Sequence, residues 1–128
     1  MIKTITPRHK TLAIQLIDWL RDNHSIAALW EQKGVDICFL HQGLSVLAEL
    51  KIAYGGDTRH AVREALGQIL EYNHHPRRQA RDRWLLVLDT EPTQDDELFV
   101  RSLREAYELP LTLGWKSQDG FSFCSRWP

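Results

Sequence analysis

The chain has 128 residues, 16 Lys plus Arg against 17 Asp plus Glu, a formal net charge of −1 and two cysteines. This length suits a single domain spanning residues 1–128 with its own core, and no apolar run approaches the roughly 18 residues a membrane-spanning helix needs. Arg8, His9 and Lys10 lead into no signal-like apolar segment, and Cys38 and Cys124 make no disulfide framework, so a reducing, cytoplasmic compartment without membrane attachment is expected.

Thr6-Pro7 reads as a helix start, with Thr as the cap and Pro at the first helical position. Leu12, Leu16, Trp19 and Leu20 recur at helical spacing, which predicts a helix to about Asp22, with Asn23 as a stop. His9 lies in its first turn, as a functional residue or a solvated one. Ile26 to Glu31 reads as a first strand, and Gln32-Lys33-Gly34 turns the chain into the next.

The stretch from Val35 to Tyr72 is the one the sequence is organised around. Two apolar runs flank Gln42-Gly43, a two-residue hairpin turn in which Gly supplies the positive φ required. Pairing His41 with Leu44 and counting outward sets Asp36 opposite Glu49. Side chains alternate along a strand, so Glu49 and Lys51 share a face. Two carboxylates and an amine then meet on one sheet face. The neighbours Val46, Leu47, Ala48, Leu50 and Ile52 are apolar on both faces, so the strand is expected to be central and buried. Charges at such a place are costly unless paired or bound to metal. Hard cations such as Mg²⁺ take one or two carboxylates with water and substrate phosphate, so metal-assisted hydrolysis is the chemistry this set suits.

Gly55-Gly56-Asp57 is a loop, and Asp57 or Thr58 caps the next helix. That helix, from about Arg59 to Tyr72, carries Val62, Ala65, Leu66 and Ile69 on one stripe. Gln68 aligns with Glu64 and Tyr72 along the stripe's border. His74-His75 precedes Pro76 in a loop and is not read as a metal pair. Arg77, Arg78, Arg81 and Arg83 form the most basic stretch, either a solvated connector or a phosphate contact. Trp84 to Asp89 reads as a buried strand. Thr93 opens a helix whose apolar side is expected to be Leu98, Leu103, Ala106 and Tyr107. Leu111 to Trp115 is a strand, and Asp119-Gly120 turns into Phe121 to Cys124.

The Asp36…Glu49-Leu50-Lys51 pattern, followed by Ala65-Leu66-Gly67-Gln68 and Glu71-Tyr72 on a helix, resembles the PD-(D/E)xK nuclease superfamily. The departure is Val35, where the pattern has Pro before the Asp. The resemblance implies an α/β fold, a restriction-endonuclease-like αβββαβ core with a mixed central sheet flanked by helices, plus a C-terminal αβ extension. It implies a metal-dependent nuclease, a DNA endonuclease above all, with Asp36, Glu49, Lys51 and Gln68 as catalytic residues. Mg²⁺ or Mn²⁺ would be held by Asp36, Glu49 and, by analogy, the carbonyl of Ile52. Glu31 is either a further ligand or an exposed carboxylate at a hairpin end. Arg59, Arg63, Tyr72 and His9 are candidate nucleic-acid contacts, with core packing the other reading of Tyr72. DNA is expected over RNA as partner. The net charge of −1 leaves added positive surface to a homodimer, a fused domain or a partner subunit. The rival reading is a non-catalytic nucleic-acid or protein-binding module on the same fold.

Overall fold

The computed structural model describes residues 6–30, 36–74, 76 and 80–124. Helix α1 (Pro7–His24) leads into β1 (Leu29–Trp30), β2 (Ile37–His41) and β3 (Leu44–Lys51), and a 3₁₀ turn at Tyr54–Gly56 joins β3 to α2 (Thr58–His74). Then come β4 (Arg83–Leu88), α3 (Gln94–Tyr107), β5 (Leu111–Ser117) and β6 (Gly120–Phe123). The strands form one mixed six-stranded sheet in the order β1-β2-β3-β4-β5-β6. The pairs β3–β4 and β4–β5 are parallel, and the other three are antiparallel. Parallel neighbours need a crossover, which α2 and α3 supply.

Helices cover both faces of the sheet. On one, Leu12, Leu16 and Leu20 of α1 pack on Ile37, Phe39, Val46, Ala48, Leu50, Leu85 and Val87. On the other, Ala61, Val62, Ala65 and Ile69 of α2 and Val100 of α3 pack on Leu47, Leu86, Leu88, Leu111 and Leu113. Strand β4 is therefore apolar on both faces from Trp84 to Leu88, as expected of a parallel strand between helical layers. Among the described residues no helix is long and apolar enough to cross a membrane, and both cysteines are free thiols.

Local chemistry sets the helix ends. Thr6 Oγ1 accepts from His9 N, and Pro7 opens α1. Asp57 Oδ1 accepts from His60 N and so caps α2. Thr93 and Asp96 form a reciprocal capping box on α3.

Two expectations are corrected. The run Ile26 to Glu31 pairs in the sheet only at Leu29–Trp30 among the described residues, and Glu31 lies outside them. The reason is that the Ile26 N–H returns to the Leu20 carbonyl and Ser25 adopts a left-handed conformation, so this stretch completes α1. Ile26 and Ala28 then join the α1-side core. On α3 the buried residues are Asp96 and Val100, with Leu103 half-buried, whereas Leu98, Ala106 and Tyr107 are exposed. The inward stripe contains an acid because Thr58 Oγ1 of α2 donates to Asp96 Oδ2 at 2.6 Å in the buried space between the two helices.

Candidate functional site

The β2–β3 hairpin positions the site. Gln42 (φ 52°) and Gly43 (φ 80°) both have positive φ, the mark of the tight turn whose twist matches paired strands. The register runs from His41↔Leu44 to Ile37↔Ala48. Asp36 directly precedes β2 and Glu49 directly follows Ala48, so continuing this register would bring the two acids opposite each other. Leu47 faces the α2 side and Ala48 the α1 side, so alternation directs Glu49 and Lys51 toward α2. Ile37 faces α1 and Cys38 packs on the α2-side core, so Asp36 falls on the same face as Glu49.

Asp36 is 5% exposed and Glu49 2%. Glu49 pairs in register with Leu86 and Lys51 with Leu88 on β4, so the acids rise from an apolar floor. Burying ionised carboxylates in such surroundings is strongly unfavourable unless cations or donors meet them. Lys51 is half-buried at the end of its strand. Gln68 is half-buried on α2, and its Oε1 is buried with no hydrogen-bond partner among the described residues. A buried acceptor without a donor is unfavourable by about 1–3 kcal/mol, so this oxygen marks a place where a donor belongs.

The remaining candidates are dispersed. His9 is 8% exposed on α1, in line with Leu12, Ala13 and Leu16, and so packs toward the opposite side of the sheet. Arg59 and Arg63 are exposed on α2. Tyr72 packs on the α2-side core and its hydroxyl accepts from Arg81 Nη2 at 3.3 Å. Arg81 N also donates to Asn73 Oδ1 at 2.7 Å, which ties the residues before β4 to the end of α2. Ile52 is buried just past β3 with its side chain in the α1-side core. Glu31 lies outside the described residues.

The sequence reading missed Asp89. It follows β4, where its Oδ1 accepts from Ala53 N at 2.8 Å and its Oδ2 pairs with Arg8 at 2.8 Å. The available signal was an acid at the carboxyl end of a parallel strand, the end at which open α/β sheets bind ligands.

Among the described residues, no three His, Cys, Asp or Glu side chains come together into a metal cage. Carboxylates suit a hard cation that keeps water and substrate oxygens better than they suit a soft transition metal. No protein-family model matches the chain, and no curated protein matches its sequence significantly.

Proposed function

We propose that this chain is a divalent-metal-dependent nuclease domain of the restriction-endonuclease-like type, hydrolysing phosphodiester bonds with DNA as its substrate. The observation that carries the reading is the pair of buried acids, Asp36 at 5% and Glu49 at 2% exposure, aligned by the hairpin register on one face with Lys51. A binding surface has no use for carboxylates buried beside an amine, whereas phosphoryl hydrolysis needs such a set.

Asp36, Glu49 and the Ile52 carbonyl would hold Mg²⁺ or Mn²⁺. When bound, that ion lowers the pKa of water and offsets charge on the phosphoryl oxygens. Lys51 positions the attacking water and stabilises the developing negative charge. Its role is that of an orienting donor, not a base. Gln68 Oε1 accepts a hydrogen bond from Lys51 Nζ or from the water and fixes its orientation. Arg59 and Arg63, exposed on α2, meet backbone phosphates.

Calorimetric titration with Mn²⁺ tests the ligand set apart from cleavage. The parent binds the ion, and Asp36→Asn and Glu49→Gln each lose that heat while still melting cooperatively. Unchanged binding in both variants refutes the assignment.

A further inference from the structure

A second feature lies at the carboxyl ends of β3, β4 and β5, on the α1 side of the sheet. A cleft of about 300 Å³ opens there, lined by Arg8, Thr11, Gln15, Ile52, Asp89 and Lys116 among others. This is the lower end of the size range of small-ligand pockets. Ile52 directly follows Lys51, so the cleft sits at the same strand end as the acids but on the other face.

An aromatic ring stands next to one of its lining residues, Arg8. Tyr54, in the 3₁₀ turn after β3, is 57% exposed. The Arg8 guanidinium lies 5.2 Å from the ring centroid, and the Tyr54 hydroxyl donates to Thr6 Oγ1 at 3.3 Å. Asp89 fixes the arrangement from below. It accepts from Ala53 N, the residue before Tyr54, and holds Arg8. The cost of keeping a large aromatic ring exposed is thus accompanied by bonds that hold it in place. Lys116, also a lining residue, donates from Nζ to the Ser117 carbonyl at 2.7 Å and lies 5.8 Å from the centroid of the Phe121 ring; an ammonium has three donors, so donor capacity remains for an anion.

We infer that this cleft takes an unpaired nucleotide of the substrate strand, resting on the nucleic-acid reading of the adjoining site. The base stacks on the Tyr54–Arg8 platform, its polar edge meets Gln15 and Asp89, and its phosphate meets Lys116. A base paired within a duplex has both faces covered by its neighbours, so a stacking platform selects single strands, frayed ends or flaps. The net charge of −1 agrees with this choice. A chain with little excess positive charge gains little from phosphate contacts alone, and stacking supplies affinity that does not depend on net charge.

The test is fluorescence anisotropy of a labelled oligonucleotide, single-stranded and as the matching duplex, in EDTA so that no metal-dependent cleavage intervenes. Tyr54→Ala weakens single-strand binding about tenfold and leaves duplex binding unchanged. Tyr54→Phe and Tyr54→Trp bind single strands like the parent, which separates the ring from its hydroxyl bond. Lys116→Ala weakens binding and reduces its salt dependence. Single-strand affinity unchanged in Tyr54→Ala, or absent in the parent, overturns the inference. Should Tyr54→Ala keep its affinity while the parent cleaves with Mg²⁺, the cleft assignment fails and the nuclease reading stands. Should single-strand binding depend on Tyr54 while no substrate is cut, the cleft stands and the nuclease reading fails.

Discussion

Strand β3 turns two unlike faces to the helices that cover it. Toward α1 it presents Val46, Ala48 and Leu50, with Ile52 beyond, all buried and apolar. Toward α2 it presents Leu47, then Glu49 and Lys51. The backbone is the same, so the difference lies in what each face contributes. The α1 face contributes burial, about 25 cal/mol per Å² of apolar surface removed from water. The far end of the α2 face replaces apolar side chains with charged ones.

Substitution at two adjacent residues sharpens the contrast most. Lys51→Ala lowers the cleavage rate by about 10²–10³-fold, the usual effect of removing one oriented donor at a developing charge, and leaves the melting temperature near that of the parent. Leu50→Ala does the reverse. Leu50 is fully buried, so truncation lowers stability by about 2–5 kcal/mol, read as a drop in denaturation midpoint, while the remaining folded protein cuts at the parent rate. Equal effects of both substitutions on stability and rate would erase the distinction between the faces.

Much of this arrangement is legible in the sequence because it depends on local rules. The Gln42-Gly43 turn sets the register, so the pairing of the strands from His41 with Leu44 to Ile37 with Ala48 follows from counting. Thr6-Pro7 and the Thr93 cap are read equally directly. What escapes is decided between distant segments. Asp96 points inward because Thr58 meets it from α2, and no count of apolar residues along α3 admits an acid to the buried stripe. Arg81 sits in a basic run that invites a phosphate reading, yet its bonds go to Asn73 and Tyr72. The Tyr54–Arg8–Asp89 set unites α1, the turn after β3 and the end of β4, three segments with no sequence relation.

Smaller effects are expected where α1 meets β6. Gly120 has φ +142°, and a Cβ there would lie 2.5 Å from Trp19 Nε1. Gly120→Ala therefore displaces the indole and costs about 1–3 kcal/mol, measurable by urea denaturation, without changing metal binding. A loss of metal binding in this variant would show that the α1 face also shapes the site.

The smallest expected effect is a pH dependence at the end of α1. Burial, and then the charge of His41, hold the His24 imidazole below its ordinary value of about 6.5. The unfolded chain thus takes up the proton first. This contribution to stability is whole above that ordinary value, declines as pH falls through it, and levels off once the folded imidazole is protonated as well. His24→Gln flattens the decline in a plot of denaturation midpoint against pH. The effect is slight because the side chain remains largely exposed.

The most direct test of the central claim is cleavage of supercoiled plasmid, linear duplex and single strands by the parent and by Glu49→Gln, each with Mg²⁺, Mn²⁺ or EDTA. Cutting by the parent that requires the metal and disappears in a folded Glu49→Gln variant is the predicted result. A folded parent that cuts none of these substrates with either metal, or a Glu49→Gln variant that cuts at the parent rate, would contradict it.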